Sequence, residues 1–362
     1  MVTVTLAELG GWPFILGRLA SGGDLSEAEA GAALADVFEG NATPSQLAAF
    51  IFGLRCKGET VEEMSGMVQA MLAAAELVPL APGLGDRVVD TCGTGGDRSG
   101  TINVSTIAAF VVAGAGVPVC KHGNRAASSK AGSADLLEAL GVAINLGPAD
   151  VAACVAEAGM GFCFAPRFHP SMRHAGPTRR ELGVPTVFNF LGPLANPART
   201  RRQVVGVSDP SMADKMVGVL AANGATHTLV VYGHDGLDEL TTTDRSTVVE
   251  SRVDAEGERH VRTYHVDPVS LGLERVAKAE LLGGDAATNA DLARRVVAGE
   301  KGPRRDIVLL NAAAGLVVAG VAVDLAEGLG IAATVVDDGR AAGRLAQLIE
   351  VSQSRARSAQ PS

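Results

Sequence analysis

The chain has 362 residues, enough for two structural units. Hydrophobic residues make up 47% and charged residues 20%, which supplies a buried core and excludes disorder. A net charge of −9 and 4% aromatics exclude a basic nucleic-acid face and a base-stacking platform, so an anionic ligand has to be met by a few placed cations and backbone N–H groups. The five cysteines (Cys56, Cys92, Cys120, Cys154, Cys163) are odd in number and widely spaced. They read as small buried hydrophobes in a reducing cytoplasm rather than as metal ligands. The N-terminus lacks the basic-then-apolar pattern of a signal peptide.

The first eighty or so residues are expected to be helical. Thr43-Pro44-Ser45-Gln46 offers an N-cap, a proline at the first helical position and a Gln that completes a capping box; Thr60-Val61-Glu62-Glu63 is a second box. Met64, Met67, Val68, Met71 and Leu72 then form a stripe facing a core. Pro79, Pro82 and the glycines that follow, Gly83 and Gly85, mark a boundary near residues 79–86.

From Arg87 short β-rich runs alternate with Ala-rich helical stretches. Strands are expected at Arg87–Asp90, Val117–Cys120, Gly161–Phe164, Gln203–Val207, Thr228–Tyr232 and Ile307–Leu310, and helices at Ile102–Ala113 and Ala134–Leu140. Such alternation implies a mostly parallel sheet covered on both faces. Gly100–Cys120 carries no charge, yet Thr101, Asn103, Ser105, Thr106 and Pro118 make it too polar and broken for a lipid-facing span. It reads as a buried helix leading into a buried strand, and Ile307–Val323, with Asn311 inside it, is read the same way. The chain is expected to be soluble. Glu181–Arg202, rich in Pro and Gly, interrupts the alternation and could return to the helical unit.

Asp90-Thr91-Cys92-Gly93-Thr94-Gly95-Gly96-Asp97 lies at a strand–helix junction, where N–H groups and the helix dipole favour an anion. No G-K-[ST] follows, and Arg98 stands where the dinucleotide fingerprint needs its last glycine. Asp97 would repel bare phosphate, so its chemistry points to sugar hydroxyls or a metal; a glycine-rich turn without a chemical role is the alternative. Lys121 through Ser133 follows the second strand and concentrates three cations and three Ser hydroxyls among small residues. A solvated charged loop is the alternative, disfavoured because the charges are interleaved with small residues rather than blocked. Two neighbouring anion-binding junctions together imply a ligand with more than one phosphate, held at the carboxyl ends of the strands.

Five motifs in this order are similar to those of the anthranilate phosphoribosyltransferase family. They are GTGGD at Gly93–Asp97, NVST at Asn103–Thr106, KHGNRAASS at Lys121–Ser129, RHAGPTRRELGVPTVFNFLGPLANP at Arg173–Pro197, and Asp238-Glu239 within GHDGLDEL. The resemblance covers roughly residues 10 to 345. It implies a homodimeric, cytoplasmic, magnesium-dependent enzyme of tryptophan biosynthesis that joins anthranilate to the ribose of phosphoribosyl pyrophosphate (PRPP) and releases pyrophosphate. It implies an α/β fold class: a small helical domain (1–84, rejoined by about 183–204) and a large domain with a mostly parallel sheet (85–182 and 205–362), with the active site between them.

By motif, Gly93, Gly96, Asp97, Thr101, Asn103, Val104, Ser105 and Thr106 would hold PRPP. Lys121, His122, Gly123, Asn124, Arg125, Ala126, Ala127, Ser128, Ser129 and Ser133 would close around its phosphates, with Lys121 and Arg125 stabilising the departing pyrophosphate. Ser105, Asp238 and Glu239 would be Mg2+ ligands; alone, the Asp-Glu pair would read as a solvated surface. Gly93, Asn124 and Arg179 would take anthranilate, Arg179 meeting its carboxylate, while Arg180 faces solvent or a carboxylate. His122 and His169 lie in family motifs, and a lone His is more often structural. The nearest rival is a pyrimidine nucleoside phosphorylase, which shares the architecture; Arg179 and NFLGPLANP favour anthranilate. A non-catalytic nucleic-acid-binding paralogue would need lost motifs and a basic surface. Neither nucleic acid nor a membrane is expected as a partner.

Overall fold

A computed structural model describes residues 4–126 and 130–358, so Ala127, Ser128 and Ser129 of the basic motif lie outside the described residues. The chain opens with four helices, α1 (Gly11–Ala20), α2 (Glu27–Phe38), α3 (Pro44–Lys57) and α4 (Val61–Ala73). Both expected capping boxes form, Thr43 with Gln46 and Thr60 with Glu63, and Ser26 with Glu29 adds a third. Helices α2 and α4 touch backbone to backbone: a Cβ on Gly66 would lie 1.9 Å from the Glu27 carbonyl oxygen, so only glycine permits this approach. The predicted stripe is the buried face of α4, with Met64, Met67, Val68 and Met71 in the core.

The larger part alternates β1 (Val89–Gly93), α5 (Val104–Gly114), β2 (Val119–Gly123), α6 (Ser133–Leu140), α7 (Pro148–Ala158) and β3 (Met160–Phe164). Three short helices follow, α8 (Ala165–Phe168), α9 (Gly176–Leu182) and α10 (Phe188–Leu194). Then come β4 (Arg202–Gly206), α11 (Ala213–Ala222), β5 (His227–Gly233), β6 (Ser246–Val253) and β7 (Arg259–Val266). Helices α12 (Ala286–Val297), α13 (Pro303–Ala319), α14 (Leu325–Asp337) and α15 (Arg340–Ser358) complete it.

The sheet has the order β3-β2-β1-β4-β5-β6-β7, with β1 to β5 parallel and the last two strands antiparallel. Side chains alternate across it: Val204, Leu229 and Val231 face a core built with α5, α13 and α14, whereas Cys92, Val205 and Val230 face one shared with α1 to α4, α10 and α11. Ala175, Val187, Phe188, Phe190, Leu191 and Leu194 join that second core, so this stretch packs with the N-terminal helices.

The chain passes between helical block and sheet three times, and the crossings lie side by side. The Glu76 N–H donates to the Phe168 carbonyl (2.9 Å) and the Val78 N–H to the Pro197 carbonyl (3.1 Å), with Arg167 paired to Glu76.

Several expectations need correction. Ile307–Leu310 is not a strand but part of α13; an apolar run has the same pattern in either state, and Pro303 at the helix start was the deciding cue. The first two strands run three residues further than expected, so Gly93, Lys121, His122 and Gly123 are strand residues. The pair β6–β7 went unread, because β7 is a polar edge strand, exposed along most of its length. Cys56 is exposed; the other four thiols are buried. Among the described residues no helix is long and apolar enough to cross a membrane.

Candidate active site

Strands β1 and β4 are neighbours although β2 and β3 intervene in sequence, so their carboxyl ends form the crevice of a topological switch point. The loop after β5 folds into that crevice and is held by glycines. A Cβ on Gly93 would sit 2.5 Å from Asp238 Oδ2, and one on Gly206 only 1.6 Å from the Asp238 carbonyl oxygen. Asp238 Oδ2 accepts the Gly95 N–H at 2.7 Å, and Glu239 Oε1 accepts the Ser105 N–H at 3.0 Å in the first turn of α5. The glycine-rich loop is locked from its other side by Ser208, whose hydroxyl donates to the Gly95 carbonyl at 2.8 Å. Ser208 belongs to none of the five motifs; its signal in the sequence is its place just beyond a strand.

These carboxyl groups are under electrostatic tension. Burial, and then the neighbouring Asp97 and Glu239 charges, hold Asp238 well above the usual carboxylate range. Burial pushes Glu239 up to about 7, against the opposing pull of Lys121 and of the Ser105 backbone and side chain. A cluster of buried like charges calls for a cation. Among the described residues no three His, Cys, Asp or Glu side chains are placed to hold a metal alone. The donor set therefore fits a hard divalent cation that completes its shell with water and ligand oxygens, as magnesium does.

Lys121 is buried within β2, 2% exposed, and its ammonium donates to the Thr91 carbonyl. It faces Asp90, fully buried and further held by Asn196 Nδ2 (2.7 Å) and the His122 N–H (3.2 Å). Lys121 is thus a charge under the site rather than a loop cation. His122 Nδ1 donates to the Gly192 carbonyl (3.0 Å), and burial, with the neighbouring His169, brings its pKa down to about 3. His169, buried likewise, falls to about 4, and the two rings lie 5.1 Å apart. Both are neutral at physiological pH.

Arg125 is exposed and committed elsewhere: Nη1 meets Asp135 and Glu138 on α6, each at 2.8 Å, and its guanidinium lies 5.6 Å from the Phe164 ring centre. The Asp135 carboxylate also accepts the N–H groups of Ala126 (3.0 Å) and Gly132 (2.9 Å), pinning both ends of the loop. The Asn124 carbonyl accepts the Ser133 hydroxyl at 3.2 Å, and a Cβ on Gly123 would lie 2.2 Å from that hydroxyl oxygen. Val104 and Thr106 are buried in the first turn of α5; Gly96 adopts φ +83° in the loop; Thr101 Oγ1 lies 3.1 Å from Ser99 Oγ.

Arg179 is half-buried on α9, its guanidinium 5.0 Å from the Phe188 ring centre, and among the described residues it makes no ion pair. Burial lowers its pKa. A desolvated, unneutralised guanidinium is built for a carboxylate. Arg180 beside it is exposed. The segment that carries Phe188 reaches the strand ends through His122–Gly192 and through Cys92 Sγ, 3.9 Å from the Pro193 carbonyl oxygen. The structure thus gathers Gly93, Ser105, Asp238 and Glu239 directly, ties Asn124 to Ser133, and leaves Arg125 turned onto α6.

A helical block against a mostly parallel sheet, with a phosphate-type loop and paired acids at the switch point, defines a class. Residues 14–75 match the helical bundle domain of the glycosyl transferase family and residues 85–342 that family's a/b domain. Anthranilate phosphoribosyltransferases from Rhodococcus jostii (55% identical, covering 84% of this chain and 82% of the relative) and Thermomicrobium roseum (52%, 86% and 88%) are similar over most of the chain. The crystal structure of the Thermus thermophilus enzyme superposes with a TM-score of 0.86 at 41% identity, covering 94% of this chain and 99% of that one. The Saccharomyces cerevisiae enzyme in complex with PRPP and Mg gives 0.84 at 27%, covering 95% and 98%. The chain belongs to the anthranilate phosphoribosyltransferase family, with the α/β fold and helical domain that its motifs imply.

Proposed function

We propose that this protein transfers the phosphoribosyl group of PRPP to anthranilate, giving N-(5-phosphoribosyl)anthranilate and pyrophosphate in tryptophan biosynthesis. The observation that carries the reading is the seating of Asp238 and Glu239 on the Gly95 and Ser105 N–H groups at the switch point, 2.7 and 3.0 Å away. Yeast relatives in complex with PRPP and Mg, and with 4-fluoroanthranilate, support both substrates.

The arylamine is neutral with a free lone pair at pH 7, so attack needs no strong base, and the neutral His122 and His169 are not required as one. Leaving-group departure builds positive charge on ribose and negative charge on pyrophosphate. Asp238, Glu239 and the Ser105 hydroxyl would hold Mg2+, which supplies charge neutralisation for the pyrophosphate oxygens. Lys121, beneath the site, favours the ionised forms of Asp90 and Glu239 by its field, in part offsetting the burial that raises both. Arg125 meets the pyrophosphate side after leaving α6. Gly93, Asn124 and Arg179 hold anthranilate, and approach of the helical block aligns amine and anomeric carbon while excluding water. No covalent enzyme intermediate is needed.

Exposure of Phe14 on α1 (41%) and Phe52 on α3 (48%) supports a homodimer formed through the helical block, which light scattering at micromolar concentration tests. Five free thiols suit a cytoplasmic setting. Anthranilate fluorescence should fall on adding PRPP and magnesium; phosphorolysis of thymidine or uridine with no such loss would overturn the reading in favour of a nucleoside phosphorylase.

A further inference from the structure

The two ligand-binding loops arise from different strands, and a side-chain relay couples them. Asn103, at the start of α5, donates through Nδ2 to the Ala131 carbonyl at 3.0 Å, spanning from the first loop to the second. Its Oδ1 accepts Nδ2 of Asn289, on α12, at 2.9 Å. Asn289 Oδ1 in turn accepts the Gly284 N–H at 2.7 Å. Asn289 is 2% exposed, and a Cβ on Gly283 would lie 2.4 Å from its Oδ1, so the segment before α12 is shaped around this amide. The same segment pairs with the first loop: Ile102 N–H donates to Leu281 (3.1 Å) and Gly283 N–H to Gly100 (2.9 Å).

The relay has a direction. A backbone N–H at one end can only donate and a carbonyl at the other can only accept, so each amide between them has one orientation that satisfies both neighbours. Fixing Asn289 by Gly284 therefore fixes the Asn103 amide, and that keeps its Nδ2 on Ala131. We propose that Asn289 is a positioning residue for PRPP: it touches no substrate, but through Asn103 it holds the loop after β1 and the loop after β2 at one separation. This rests on the function proposed above.

The experiment compares N289D and N289A with the wild-type full-length protein, reading KM for PRPP, KM for anthranilate, kcat and melting temperature. The aspartate keeps the acceptor for Gly284 but removes the donor, so the Asn103 amide turns over and sets its oxygen against the Ala131 carbonyl. N289D should raise KM for PRPP about tenfold, the loss of about one hydrogen bond plus a repulsion, and leave KM for anthranilate within about twofold. N289A leaves Asn103 free to keep its bond to Ala131, so its KM for PRPP should rise less than that of N289D although it empties more volume. A purely structural role would rank the two by packing and would move both Michaelis constants together; that result overturns the proposal, as does an unchanged KM for PRPP in both variants. If N289D does not fold, a KM for PRPP in N289A equal to wild type overturns it, and a selective rise supports it. A wild-type protein that consumes no anthranilate would overturn the proposed function itself, a failure distinguishable from either of these.

Discussion

The Glu239 carboxylate accepts the Ser105 N–H at 3.0 Å across 134 residues of sequence. An acid from the loop after β5 is thereby seated on the helix that follows β1, and the two halves of the proposed cation site are one hydrogen-bonded unit.

Glu239 gives the site a pH signature. Its pKa is 4.5 in the unfolded reference and about 7 in the folded protein, so the folded state binds the proton more tightly. The stability this contributes is present below pH 4.5 and is lost as pH rises through about 7. Without magnesium the melting temperature should therefore fall between pH 5 and 8, and magnesium should restore it at pH 8. Glu239→Gln should flatten this dependence, raise the metal-free melting temperature and cut turnover. Thermal melts with and without magnesium check all three, and a Gln variant with wild-type pH dependence would remove Glu239 from the site.

Arg179 and Arg180 separate by burial. Arg179→Ala should raise KM for anthranilate roughly ten- to a hundredfold, the equivalent of about 1.5–3 kcal/mol for a charge-assisted bond, with KM for PRPP nearly unchanged. Arg180→Ala should be silent, and Arg179→Lys should recover little because lysine lacks the planar fork. Steady-state kinetics with each substrate varied would show the reverse pattern if Arg180 were the ligand.

Arg125 has to leave Asp135 and Glu138 before it can meet pyrophosphate. Exposed ion pairs are worth about 0.2–1 kcal/mol, so Glu138→Gln should lower KM for PRPP by about 1.5- to 5-fold, and Arg125→Ala should raise it. A Glu138→Gln protein with weaker PRPP binding, measured by calorimetry, would show that the α6 pairing helps the site rather than competes with it.

Gly206→Ala would force a methyl group into the Asp238 carbonyl, 1.6 Å away, and displace the acidic loop. Turnover should fall more than about tenfold (about 1.4 kcal/mol). Gly330→Ala, on the open face of α14 with no atom within 4 Å, should keep full activity and melt at or slightly above the wild-type temperature.

Motif chemistry was legible wherever a local rule fixed it. Thr43 and Thr60 announce their helices because a cap needs only four residues, and Asp97 and Asp238 stand in short ordered motifs. What was not legible depends on partners remote in sequence. Lys121 looks like a loop cation until Asp90 and Glu239 draw it into the sheet. Arg125 looks free until α6 supplies two acids. Asn289 carries no local signal, since its meaning comes from Asn103, 186 residues away. The polar β7 escaped because an exposed edge strand lacks the apolar alternation that marks a half-buried one.

The three crossings between helical block and sheet are stapled to one another, Glu76 to Phe168 and Val78 to Pro197, rather than strung as separate tethers. Sliding of one crossing past another would break those bonds, so the returning segment stays in register with the first crossing. Arg179, carried on that returning segment and stacked on Phe188, therefore takes its height over the strand ends from a joint built far from it in sequence.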